Sequence, residues 1–156
     1  MDVKLEVVKN KTKLSRLLQL YLHNLSSDFP MDMDQRTGLY IYDDLPLYLS
    51  GSKEHVAYFI IADKRLAGFI LADFGSINIV QEIFVLNNFK RQGIGEKAVN
   101  ILFDEHKGNW EIKAVPCSKR AEEFWTNTVN KYTTGKFNKE YVGKYNRAVI
   151  TFNNKY

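Results

Sequence analysis

The sequence carries one cysteine, Cys117, in 156 residues, which excludes an internal disulfide and any cysteine-rich zinc site. Its three histidines, His23, His55 and His106, lack metal-ligand spacing, so no metal is expected. Long apolar runs are also missing. The longest, residues 17–25 and 56–62, fall well short of the roughly 20 residues that span a bilayer, and MDVKLEVVK has no signal-peptide core. A cytoplasmic location with no membrane partner is therefore expected. The sequons Asn10-Lys11-Thr12 and Asn24-Leu25-Ser26 are not expected to be glycosylated there. There is no internal repeat and no low-complexity segment.

The composition, 45% hydrophobic and 26% charged, is that of one ordinary globular domain over residues 1–156. A net charge of +4 permits nucleic-acid binding without demanding it. The distribution of charge says more. Residues 28–48 hold five aspartates, Asp28, Asp32, Asp34, Asp43 and Asp44, against the single cation Arg36, while the chain from Lys131 onward holds six cations and one acid.

Val3-Lys4-Leu5-Glu6-Val7 alternates like a half-buried strand. Behind Thr12, the expected cap, Leu14, Leu17, Leu18, Tyr21, Leu22 and Leu25 recur at helical spacing. Residues 26–42 predict a long loop or short-helix region, and residues 45–49 a helical turn. Residues 55–62 and 66–74 are apolar runs joined by Asp63-Lys64-Arg65 as a hairpin, and residues 77–86 add a third antiparallel strand. Ile94, Ala98, Ile101, Leu102 and Glu105 trace a helix ending near Gly108-Asn109. Residues 110–115 then form a strand, and Ser118 caps a helix carrying Ala121, Phe124, Trp125 and Val129. Residues 132–152 read as two strands. The order β-α-(α)-β-β-β-α-β-α-β-β predicts a mixed α/β fold with a mainly antiparallel central sheet flanked by helices.

The segment Asn87-Asn88-Phe89-Lys90-Arg91-Gln92-Gly93-Ile94-Gly95-Glu96-Lys97-Ala98 places two glycines after two cations and before a helix. Glycine lets a backbone approach a ligand closely, and a helix start offers unpaired N–H groups to an anion. Gly93 to Ala98 alone fits a dinucleotide fingerprint, but residues 87–92 separate the first glycine from the preceding strand, and Glu111 sits at the wrong end of the next one. The run from Glu82 through Gly95 instead resembles motif A of the GNAT acetyltransferase superfamily, in which a strand leads through a short turn into [Q/R]-x-x-G-x-[G/A]. Lys90 stands at the first position of that motif, with Arg91 next to it. Downstream, Ser118-Lys119-Arg120-Ala121-Glu122-Glu123-Phe124-Trp125 is similar to the family's N-x-x-A-x-x-F-[Y] helix start. The similarity covers residues 55–130 by motif and element order and the two ends by topology.

This resemblance implies a GNAT-like acyl-CoA N-acyltransferase fold and acetyl-CoA as cosubstrate. The pyrophosphate would rest on the N–H groups of Gln92, Gly93, Ile94, Gly95 and Glu96, with charge from Lys90 and Arg91. The pantetheine amides would pair with the backbone of Phe84, Val85 and Leu86, where the family's strand splays from its neighbour at residues 110–115. The same backbone would place an N–H at the thioester oxygen.

An amine acceptor resembling lysine is mostly protonated at neutral pH, so direct attack in a ternary complex needs a base. Glu82 is the one acid between Phe74 and Gly95 and lies within an apolar strand, where burial raises a carboxyl's pKa. It is either that base or a solvent-facing glutamate. Trp125 stands where the family often has a tyrosine acid; indole is no practical acid, so Trp125 is read as a pantetheine contact. The thiolate then leaves unprotonated, or Ser118, Tyr132 or another tyrosine assists. Cys117 has no identifiable base partner and reads as an inert thiol.

The aspartates of residues 28–48, with Phe29, Tyr40, Tyr42 and Tyr48, suit a cationic acceptor, a small polyamine-like or basic amine or a lysine side chain; they equally describe a solvated acidic loop. The alternative to an enzyme is a non-catalytic CoA- or RNA-binding module. In the tail, Lys136, Lys139, Lys144 and Arg147 interleave with Tyr132, Phe137, Tyr141 and Tyr145 as a single-stranded RNA platform would. Strand alternation explains the same pattern more simply, so nucleic acid is not the expected partner, and a homodimer contact through the tail is left open.

Overall fold

The computed structural model describes residues 1–155. In chain order its elements are β1 (Val3–Val7), α1 (Lys11–Leu25), β2 (Met33–Asp34), β3 (Leu39–Tyr40), α2 (Leu45–Tyr48), β4 (His55–Ala62), β5 (Arg65–Asp73) and β6 (Asn78–Val85). A 3-10 turn at Asn87–Phe89 follows, then α3 (Ile94–Glu105), β7 (Asn109–Lys113), α4 (Lys119–Thr133), β8 (Asn138–Val142) and β9 (Arg147–Asn153). Seven strands form one sheet in the order β1-β4-β5-β6-β7-β9-β8. Every neighbouring pair is antiparallel except β6 with β7. The expected mixed α/β, mainly antiparallel fold is the observed one.

Local chemistry accounts for most boundaries. Asn10, not Thr12, caps α1: its backbone is extended and its side-chain oxygen accepts from the Lys13 N–H at 3.0 Å, which leaves Thr12 inside the first turn. Asp63 and Lys64 turn the β4–β5 hairpin with φ of 47° and 68°, the two-residue geometry whose twist matches flanking strands. Arg65 belongs to β5, paired with Ala62. The expected loop at residues 26–42 contains the small β2–β3 hairpin, too short to leave a periodic signal. Its turn forms at Asp34, which accepts from the Arg36 N–H at 2.9 Å, and at Gly38, which has φ of 71°.

Alternation along the strands gives the sheet two apolar faces. Leu14, Leu18 and Leu22 of α1 and Tyr48 of α2 cover Phe59, Phe69, Leu71 and Phe84 on one face. On the other, Ala98, Leu102 and Phe103 of α3 and Val129 of α4 pack with Ile60, Ile70, Val80, Ile112 and Ile150. Each large side chain buried this way contributes roughly 1.5–3 kcal/mol. Among the described residues, no helix is long and apolar enough to cross a membrane.

The sheet's irregularity sits at its centre. β6 pairs with β7 over Asn78↔Trp110, Ile79↔Glu111 and Val80↔Ile112 and no further. On its other edge β6 carries a bulge, since Leu71 faces Glu82 while Ala72 faces Val80, leaving Gln81 between them. β7 turns away to β9, and the Ala114 N–H donates to the Ala148 carbonyl at 3.0 Å. Residues 81–85 thus run on beside a gap.

Candidate active site

The bulge at Gln81 decides what lies at this gap. It shifts the alternation by one residue, so that Glu82 shares the α1 side of the sheet with Phe84, and Ile83 and Val85 pack on the α3–α4 side. Backbone direction follows from two neighbours. The Leu86 N–H donates to the Ala67 carbonyl at 2.7 Å, and the Phe84 carbonyl lies so close to Gly68 that any Cβ there would overlap it. Phe84 and Leu86 therefore spend their polar groups on β5, and by alternation Ile83 and Val85 turn theirs to the gap. Of the three residues Phe84, Val85 and Leu86, Val85 alone faces the opening, and it is joined by Ile83.

At one end of the gap lies the start of α3. Arg91 and Gly93 both have positive φ, 64° and 74°, so successive N–H groups around Gln92 turn to one side as an anion-binding concavity does. The first bond of the helix runs from the Lys97 N–H to the Gly93 carbonyl at 3.0 Å, and the N–H groups of Ile94, Gly95 and Glu96 have no intrahelical partner. A Cβ at Gly95 would sit 3.3 Å from the Phe124 ring carbons, so this glycine lets α3 approach α4. Lys90 lines the adjoining cleft; Arg91 is exposed on the turn. The Glu96 carboxylate points to Lys131 at 3.4 Å.

The cleft has a volume of about 290 Å³ and passes through the sheet, bounded by Tyr21 and Glu82 on the α1 side and by Val85, Ser118, Phe124 and Trp125 on the α4 side. Glu82 accepts a hydrogen bond from the Tyr21 hydroxyl at 3.2 Å. Burial pushes the Glu82 carboxyl up to about 7, against the opposing pull of that hydrogen bond and of the Arg147 charge. Burial and the Glu82 charge raise the Tyr21 and Tyr42 hydroxyls, so both stay protonated donors. Beside them Asp73 is fully engaged: it accepts from the Tyr48 hydroxyl at 2.7 Å and from Gln81 Nε2 at 2.6 Å, and it meets His55 Nδ1 at 2.9 Å.

Ser118 caps α4, its hydroxyl oxygen accepting from the Ala121 N–H at 3.1 Å while its own O–H proton remains available. It stands at the seam between the cleft and a second cavity of about 270 Å³. Trp125 is buried against the edge of Phe124 and lines the cleft. Tyr132, weighed as an acid, lies elsewhere: at the far end of α4 it donates to Asp104 at 2.9 Å and accepts from Asn154 Nδ2 at 3.1 Å. Cys117 is exposed, with φ of 65°. Of the five aspartates, Asp28 lines the cleft and Asp34 pairs with Arg36 at 3.6 Å. In the tail, Lys139 and Tyr141 both engage Glu122, at 2.8 and 2.7 Å. Among the described residues, no group of three or more His, Cys, Asp or Glu side chains is placed to hold a metal.

Tyr21, Ile83 and Arg147 are the residues of the candidate site that sequence reasoning missed. Tyr21 counted only as an apolar position of α1, and Arg147 only as one cation of the tail.

No family model matches the sequence, and no curated protein is recognisably similar to it. Solved structures are similar in fold. An acetyltransferase from Thermus thermophilus superposes with a TM-score of 0.71 at 14% identity over 98% of this chain and 97% of that one. A GNAT-family acetyltransferase from Staphylococcus aureus gives 0.65 at 12% identity, covering 99% of this chain and all of the other. A Bacillus subtilis acetyltransferase in complex with CoA gives 0.62 at 13% identity, covering 97% and 99%.

Proposed function

We propose that this chain, which has the GNAT acetyltransferase fold, is an N-acetyltransferase moving an acetyl group from acetyl-CoA to a primary amine by direct attack in a ternary complex. The observation that carries the reading is Glu82: a half-buried carboxyl, raised to about 7, beside backbone groups that have no strand partner. A base with that pKa is divided between its two forms near neutral pH, the condition for accepting a proton efficiently.

The remaining residues fit acetyl-CoA in parts. The unpartnered N–H groups at 94–96, with Lys90 nearby, suit a pyrophosphate. The gap-facing groups of Ile83 and Val85 suit pantetheine amides, and the Val85 N–H suits the thioester oxygen as charge develops on it. Glu82 takes the proton of the attacking amine. The leaving sulfur departs as thiolate, acceptable for a thiol of pKa about 8.5, with the Ser118 hydroxyl placed to donate a hydrogen bond to it. The test is release of free thiol from acetyl-CoA across a panel of amines, with the CoA-induced shift in melting temperature as control. Amine-dependent release is expected; a protein that CoA does not stabilise refutes the reading.

A further inference from the structure

Arg147 opens β9, and the alternation of that strand sends Ala148, Ile150 and Phe152 into the α3–α4 core. Arg147 itself is on the opposite face, the one that carries Glu82, across the gap between β6 and β7. Its Nε donates to the Ala114 carbonyl at 2.6 Å, which fixes the plane of the guanidinium. Among the described residues no carboxylate lies within ion-pair distance of it, and its two terminal nitrogens have no hydrogen-bond partner. It lines the second cavity together with Tyr145 and Asn146, and that cavity meets the cleft at Val115 and Ser118. The acid there, Glu122, is already taken by Lys139 and Tyr141.

A half-buried, anchored cation with no anion opposite it is unfavourable unless a ligand supplies one. Its fork of donors matches a carboxylate, which it can hold by two parallel bonds. The cavity that Arg147 lines opens at Val115 and Ser118 into the cleft lined by Glu82 and Tyr21, and the Arg147 charge lowers the pKa of both groups. The space is bounded: Phe29, beyond α1, meets Tyr145 edge-on with ring centroids 5.3 Å apart, joining the two sides of the opening.

Resting on the acetyl-transfer reading, we propose that Arg147 selects the acceptor by seating its carboxylate, so that the substrates are amines that also carry a carboxylate, amino acids or short peptides, in preference to diamines. The experiment compares thiol release for α-amino acids, ω-amino acids and dipeptides, each beside its carboxamide, with simple diamines as a further arm. The wild-type protein is expected to favour acid over carboxamide by about 10- to 100-fold in kcat/KM, the effect of one charge-assisted fork. Arg147→Ala is expected to bring that ratio close to one, and Arg147→Lys to an intermediate value; the CoA-induced melting shift reports that each variant is folded. The preferred acid tells a free amino acid from a peptide. Equal use of acid and carboxamide by the wild type, preference for a diamine, or an equal loss for both partners in Arg147→Ala overturns the proposal and leaves acetyl transfer standing. Absence of release with every amine overturns both.

Discussion

Ile79 and Val80 are held on both edges, by β5 and by β7, whereas residues 82–85 of the same strand are held by β5 alone. The first part is scaffold. Val80 is in the core among Ile112 and Trp110, and the parallel pairing is fixed by the α3 crossover. The second part has similar apolar composition, yet the groups that could zip it to a neighbour are free, and Glu82 sits at the point where pairing stops. One inserted residue, Gln81, separates the two regimes. A strand can thus pass from a fully paired stretch to one with free backbone groups without any change in apolar character.

Substitutions on the two sides of that boundary should fail differently. The largest effect is expected for Glu82→Gln, which is isosteric but cannot accept the amine's proton: kcat should fall by roughly 10²–10³-fold while CoA binding, read by calorimetry, persists. In the wild type the rate should rise with pH through about 7, since the proposed base would act in its ionised form; the variant should lose that limb. The same raised pKa also bears on stability. Native Glu82 holds its proton over the window from its ordinary 4.5 to about 7 where the unfolded chain has released it, so Glu82 costs increasing stability as pH rises through that window. Glu82→Gln should therefore raise Tm more at pH 8 than at pH 4.

On the paired side, Trp110→Ala removes a side chain that is 1% exposed and bonded through Nε1 to the His106 carbonyl at 2.9 Å. It should cost about 3–5 kcal/mol in denaturant unfolding, with little change in turnover per folded molecule. Gly93→Val should weaken CoA binding by about tenfold in calorimetry, because a β-branched residue resists the left-handed φ of 74° by about 1–2 kcal/mol. The smallest effect is expected for Tyr21→Phe. Loss of its 3.2 Å bond to Glu82 should move the midpoint of the pH–rate limb upward, because that bond favours the ionised carboxylate, and should cost about 1 kcal/mol of stability.

What was legible in the sequence was local. The Ser118 cap and the Gly93 start of α3 announce themselves within a few residues, because each acts on its own stretch of backbone, Ser118 by accepting from the Ala121 N–H and Gly93 by taking the left-handed φ of 74°. The hairpin at Asp63 and Lys64 is legible for the same reason. The site was legible only in part. Glu82 stood out as a carboxyl in an apolar strand, but Val80-Gln81-Glu82 does not announce a bulge, since a bulge is defined against the partner strand. Tyr21 and Arg147 reach Glu82 from elements 61 and 65 positions away in sequence, and no periodicity reports where two distant elements converge. The β2–β3 hairpin escaped because two-residue strands have no period.

The sheet ends at β1 and β8, yet the free half of β6 gives it a third edge in the interior. An exposed edge strand invites pairing with other chains; here α1 and α4 flank the opening, so only something as slender as an extended ligand can pair there. The amides of Ile83 and Val85 should accordingly exchange with solvent deuterium like those of an outer strand, although they lie in the middle of a seven-stranded sheet, and should slow once CoA completes the pairing.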